Sequence, residues 1–287
     1  MSSGFFGQYL LAKGIIDRDA LLDALERQRR SNLSLSELAV RQNLLDRSQA
    51  DTVMARYRMS DKSIETILVE GGFLEAGQVE RLQRIQRSSW LRIGAALVEG
   101  GHLTEEAIAK NLGEYRSLES AADEQIRSAM HDLPEPEAVG SCVELTVFHF
   151  ARVTGRPAKL EKVELTTGAT SEGVQRFSQR IVGDRDLTIA VDLPPVLAAA
   201  VARGMLGFEI EAGSETEADA VCEFINLIGG NACTRIEQFG ILLRPEPPVW
   251  SVGAGVVSPC TRVVRARVAS GDTEFVIGVF VCSEGAS

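Results

Sequence analysis

Small and apolar residues recur through the first 117 positions with a step of 29. One column holds Gly7, Ser36, Glu65 and Gly94, and an apolar pair follows it at Leu10-Leu11, Ala39-Val40, Leu68-Val69 and Leu97-Val98. Next come Gly14, Asn43, Gly72 and Gly101, then Ile16, Leu45, Leu74 and Leu103, then Asp17, Asp46, Glu75 and Thr104. The last matched columns are Leu21, Ala50, Val79 and Ile108, and Gln28, Tyr57, Gln86 and Tyr115. Each copy reads as two helices. The Gly/Asn column suits a left-handed cap that ends the first helix. The Asp/Glu/Thr column suits an N-cap for the second. That second helix carries apolar residues at helical spacing, as in Leu21, Leu22 and Leu25. One hairpin cannot bury its own stripe, so the pattern predicts neighbouring hairpins stacked into an all-α module over 1–117.

The second half changes period. Residues 118–137 form a linker ending in Pro134-Glu135-Pro136, where a helix cannot continue. Residues 138–154 read as a helix stopped by Gly155 and Pro157. Strand-like runs follow at 159–166, 174–182 and 186–192, the last two joined by a Gly183-Asp184 turn. Pro194-Pro195 opens a short helix to Leu206. Strands are expected again at 250–256, 261–268 and 273–282, with a Ser270-Gly271-Asp272 turn between the last two. Helix-then-strands thus occurs twice, which predicts an α+β domain over 138–287. The chain is multidomain.

The helix starting at Ser214 is the most informative. Ser214 with Glu217 reads as a capping box, and Gly240 ends the helix near Phe239. Val221, Ile225, Ile228, Ala232, Ile236 and Phe239 form the buried stripe. Asp219, Glu223, Asn226 and Gly230 share the opposite face, which sets a carboxylate and an amide one turn apart. Each glycine of Gly229-Gly230 costs about 1 kcal/mol relative to Ala inside a helix. Something must therefore approach the backbone closely beside Asn226.

Charge separates the two halves. The chain of 287 residues has 30 basic and 40 acidic residues, a net −10. Residues 1–117 hold 16 of each sign, so the remainder carries 14 basic and 24 acidic residues and all of the net charge. An acidic face cannot neutralise phosphates, so nucleic acid is excluded as a partner. No apolar run reaches the ~18–20 residues of a membrane span. Five dispersed cysteines and three dispersed histidines make no metal constellation. The start lacks the basic region of a secretory leader, and the scattered thiols read as reduced, so a cytoplasmic location is expected. His102, His131 and His149 read as surface or helix residues. Gly253-Ala254-Gly255 reads as a strand-end turn.

The fourth copy, Arg92-Ile93-Gly94 through Leu97-Val98 to Gly101 and Leu103, resembles the N-terminal domain of type II secretion and type IV pilus ATPases, the MshE N-terminal class. That resemblance implies a cyclic di-GMP site at Arg92 and Gly94. The Arg column is otherwise Phe5, Ser34 and Ser63, which favours a structural bundle. The second half resembles the chemotaxis phosphatases CheC, CheX and FliY, through Asp219, Glu223 and Asn226 followed by Pro248. The run Glu223 to Asn226, then Gly230-Asn231-Ala232, looks most like CheX. Glu-x-x-Asn is absent from 138–154, which implies one site. The resemblance implies hydrolysis of an aspartyl phosphate on a CheY-like receiver domain. Glu223 would pair with a receiver Lys, Asn226 would hold the attacking water, and Asp219, Gly230 and Asn231 would support them. Any metal would come from the receiver. The alternative is a non-catalytic sensor or adaptor. The apolar last strand, Phe275–Cys282, is expected to pair either within the fold or across a homodimer.

Overall fold

The computed structural model describes residues 5–60, 62–166, 175–252 and 262–281. Gly253–Gly255, Cys260 and Cys282 lie outside them. The chain divides into two compact units between Ser120 and Ala121.

In the first unit, helices α1 (Phe6–Ala12), α3 (Leu35–Arg41), α5 (Ile64–Glu70) and α7 (Ile93–Glu99) start at 6, 35, 64 and 93, the step seen in the sequence. Each is followed by a longer helix: α2 (Arg18–Ser31), α4 (Arg47–Arg58), α6 (Ala76–Ser89) and α8 (Glu105–His131), of which residues 105–120 belong to this unit. Gly14, Asn43, Gly72 and Gly101 have φ of 67°, 55°, 68° and 72°, the left-handed region. Each lets the next N–H reach back to the short helix, as in Ile15 N to Leu10 O at 2.9 Å and His102 N to Leu97 O at 2.9 Å. Leu10, Ala39, Leu68 and Leu97 are all fully buried.

The copies do not stack in chain order. The first packs on the fourth, α2 against α7, while the second packs on the third, α3 against α6 and α4 against α5. Two separate cores result. Leu10, Ala24, Leu97 and Tyr115 belong to one, and Leu38, Val53, Leu68 and Leu82 to the other. The Gln/Tyr column lies at these pairings. Gln28 Nε2 donates to Leu91 O at 2.9 Å, and Gln86 Nε2 donates to Leu33 O at 3.0 Å, the same contact displaced by two copies. Tyr115 packs against Phe6 and Tyr9 with ring centroids 5.4 Å away. Asn32 completes the first pairing: its Nδ2 donates to Leu91 O at 2.9 Å, and its Oδ1 accepts from Leu91 N at 2.7 Å. His102 is no bystander, since its Nε2 lies 2.8 Å from Asp23 Oδ2. On α2 the stripe expected at Leu22 and Leu25 is displaced. Both are exposed, and Ala20 and Ala24 are buried instead, because small residues admit α7 closely.

The expected linker is largely helical, since α8 continues to His131. α9 (Pro136–Thr154) begins with Pro136 in its first turn, where a missing N–H is harmless. Glu135 makes the corner at φ 49°.

The second unit is one antiparallel sheet with α9, α10 (Pro195–Leu206) and α11 (Glu215–Glu237) on one face. Its strands are β1 (Lys159–Thr166), β2 (Gln175–Gly183), β3 (Leu187–Leu193), β4 (Leu243–Pro245), β5 (Val249–Val252), β6 (Arg262–Ser270) and β7 (Thr273–Val281). The order is β1-β6-β7-β3-β2-β4, with β5 also on β2. The last strand pairs within the fold, with β3 and β6. On β2 the alternation sends Gln175, Phe177, Gln179 and Ile181 toward the helices. Arg176, on the other side, makes a buried two-point ion pair with Asp192 at 2.7 Å. The core joins Phe177, Ile181, Val221, Phe224, Ile225 and Ile228.

Candidate functional site

α11 fixes the site. Ser214 caps it, accepting from Glu217 N at 3.2 Å. The reciprocal half of the expected box does not form. Glu217 is fully buried, and its Oε1 accepts from Gln175 Nε2 at 3.2 Å and Gly213 N at 3.2 Å. Val221, Ile225, Ile228, Ala232 and Ile236 are fully buried as expected. Phe239 is not: the helix ends at Glu237, and Phe239 is 54% exposed beyond it.

Asp219, Glu223 and Asn226 are exposed along one helix face, and Gly230 continues the row. Burial raises the Cys222 thiol, as do the charges of Asp219 and Glu223 beside it. Glu223 is open to solvent, whereas Asn226 is anchored at its inner end. Asn226 Oδ1 accepts a hydrogen bond from Gln179 Nε2 at 3.0 Å. The same Nε2 gives its second hydrogen to Glu246 O at 2.7 Å. Glu246 N donates in turn to Arg180 O at 2.8 Å. The Pro245-Glu246-Pro247-Pro248 segment is thereby tied to β2 beside the helix. Val249 and Trp250 follow it, exposed and paired with Ser178 and Phe177.

The glycine pair divides its work. A Cβ at Gly229 would stand 1.9 Å from Gln179 Oε1 and 2.9 Å from its Cδ, so any side chain there would push that amide out of its present place. Gly230 faces open space. Gln179 is 1% exposed, and its Oε1 has no hydrogen-bond partner. Leaving a buried acceptor unmade costs about 1–3 kcal/mol, and the helical glycine adds about 1 kcal/mol. An apolar side chain at 179 would avoid the first of these costs.

Asn231 leaves the row. Its Nδ2 and His149 Nε2 are 2.9 Å apart, so it bonds α9. His149 is fully buried, the helix half of its surface-or-helix reading. Arg92 and Gly94 belong to the other unit. Arg92 is exposed at the N-cap of α7, and Gly94 is buried where a Cβ would stand 2.9 Å from Ile108. Gly7 is similar, with Leu21 at 2.7 Å from its would-be Cβ. These two glycines serve helix packing. Sequence reasoning missed Gln179 and Glu246. The available signal was a glutamine between Phe177 and Ile181, an inward polar residue on an otherwise apolar strand face.

Among the described residues, no group of three or more His, Cys, Asp or Glu side chains stands ready to hold a metal ion. No helix among them is long and apolar enough to cross a membrane.

Residues 178–263 match the family model described as chemotaxis phosphatase CheX, so this stretch is a CheX family domain. It includes Gln179, the whole of α11 and the Glu246 segment. Similar solved structures include a CheX from Desulfovibrio desulfuricans, 21% identical, TM-score 0.46, covering 50% of this chain and 99% of that one. A CheX from Vibrio vulnificus is 18% identical with TM-score 0.46, covering 50% and 98%. A CheX–CheY–BeF3–Mg2+ complex from Borrelia burgdorferi is 16% identical with TM-score 0.39, covering 50% and 97%. No curated protein sequence matches the chain.

Proposed function

We propose that the second unit docks the phosphorylated receiver domain of a CheY-like response regulator and hydrolyses its aspartyl phosphate. The observation that carries this reading is the exposed Asp219–Glu223–Asn226 row with the Asn226 carboxamide held from below. The CheX family match over 178–263 supports the reaction class.

Phosphoryl transfer needs positioning and electrostatics more than covalent help. With Oδ1 engaged inward, Asn226 Nδ2 is the end presented to a partner. It donates to one lone pair of a water, and another lone pair points at phosphorus. The P–O bond to the receiver carboxylate breaks as the water oxygen bonds phosphorus. The carboxylate leaves with the electron pair, and the water proton passes to phosphate. Glu223, exposed to solvent, pairs with a receiver lysine and sets the register. Gly230 keeps space beside Asn226 for the incoming backbone. The receiver brings its own divalent cation.

The test incubates the full chain with a CheY-type receiver charged by acetyl phosphate and follows phosphate release. Wild type accelerates release, Asn226→Ala abolishes the acceleration, and Glu223→Ala raises KM. Equal release with wild type and Asn226→Ala overturns the hydrolase reading and leaves an adaptor.

We read the first unit as four helical hairpins serving a structural role. The packing of Gly7 and Gly94 against Leu21 and Ile108 supports this over cyclic di-GMP binding at Arg92. Calorimetry with cyclic di-GMP decides it: heat at tens of micromolar that Arg92→Ala removes overturns the structural reading.

A further inference from the structure

We infer that Gln179 is a positioning residue for Asn226: it fixes which end of the Asn226 carboxamide faces the partner, and Gly229 exists to admit it. The inference rests on the phosphatase reading for its kinetic meaning, but its geometry stands alone.

Three observations converge. Gln179 is 1% exposed, so its amide has no solvent alternative. Both hydrogens of its Nε2 are spent, one on Asn226 Oδ1 at 3.0 Å and one on Glu246 O at 2.7 Å. Two acceptors leave that nitrogen one orientation, because a flipped Gln179 would aim its carbonyl at two other oxygens. Its own Oε1 is then driven against Gly229, where a Cβ would stand 1.9 Å away. The strand, the Pro-rich segment and the helix are thus locked together at one amide. Core stability does not call for this arrangement, since it leaves Oε1 unpartnered.

The consequence is directional. An asparagine on an exposed helix face can rotate about its χ2 and present oxygen or nitrogen. With Oδ1 pinned to Gln179, Asn226 presents N–H groups before the partner arrives, and no reorganisation is needed during the reaction. The chain of dependence runs from Glu246 O through Gln179 to Asn226. Gln179 touches no reacting atom.

The test compares wild type, Gln179→Met, Gly229→Ala and Asn226→Ala, all in the full chain. With a CheY-type receiver charged by acetyl phosphate, Gln179→Met and Gly229→Ala lower kcat by about ten- to hundredfold, and KM for the receiver stays within about twofold. A loss that falls on KM with kcat unchanged overturns the inference. The second readout needs no activity. The Asn226 side-chain NH2 is assigned by its loss in Asn226→Ala, and its heteronuclear NOE is compared. It is rigid in wild type and mobile in Gln179→Met and Gly229→Ala; equal rigidity in all three overturns the inference. A wild type that releases no phosphate removes the hydrolase reading, and the NOE then decides the positioning claim alone.

Discussion

Gly94 in the helical unit and Gly229 in the sheet unit are both buried glycines in helices that no Cβ could join without a clash, and they do different things. At Gly94 the close neighbour is an Ile108 methyl, 2.9 Å from the would-be Cβ. At Gly229 it is the Gln179 amide oxygen. A helical glycine therefore reports a close approach, and the identity of what approaches separates packing from placement. The first kind of site is expected to respond in stability, the second in rate.

The largest expected effect lies in the helical unit. Leu68→Ala and Leu97→Ala each delete a fully buried side chain, one in each core. Each variant should lose about 2–5 kcal/mol. Because the cores are separate, denaturant melts followed by hydrogen exchange should show a different pair of copies loosened by each. Loss of protection in both pairs from either variant would mean the four copies behave as one core. Next comes the glycine contrast. Gly94→Ala should destabilise by about 1–3 kcal/mol through overpacking, read as a lower urea midpoint, with phosphate release from a receiver unaffected in rate per folded molecule. Gly229→Ala should show the reverse balance, and matching losses in both measurements would erase the distinction. Gly230→Ala sharpens it further: with open space at that Cβ, the fold gains up to about 1 kcal/mol, while release from the receiver slows because the row is narrowed. Gln28→Ala should cost about 1 kcal/mol, the net value of its bond to Leu91 O.

The last effect is a pH dependence confined to alkaline solution. Burial, helped by nearby Cys233, pushes the Cys142 thiol up to about 12. The unfolded thiol releases its proton near its ordinary value of about 8.5. Between these values the native state holds more protons, so stability falls as pH rises through that window. Urea melts at pH 8 and pH 10 should show a drop that Cys142→Ala reduces; an unchanged drop would place the alkaline sensitivity elsewhere.

Local periodicity explains what could be read in advance. Every left-handed cap of the helical unit was visible in the Gly14, Asn43, Gly72 and Gly101 column, because a cap depends on residues a few positions away. Which copies pair was not visible, since that depends on surfaces such as Ala24 on α2, where small size outweighed the larger Leu22 and Leu25. Likewise the Asp219, Glu223 and Asn226 face follows from helical geometry, and the glycine pair announced a close neighbour. Gln179 lies 47 residues before Asn226 on a strand, and helical periodicity holds no information about that neighbour. Ser214 was legible as a cap, but Glu217 found a competing donor in Gln175 and turned inward.

The Asn32 clasp on Leu91 has a bearing on how the molecule is made. The first and fourth copies are joined across everything between them, so a nascent chain leaving the ribosome presents Leu10 and Ala24 long before Leu97 emerges to cover them. The middle copies, adjacent in sequence, can close on each other first and draw the outer two together by shortening the path between Asn32 and Leu91.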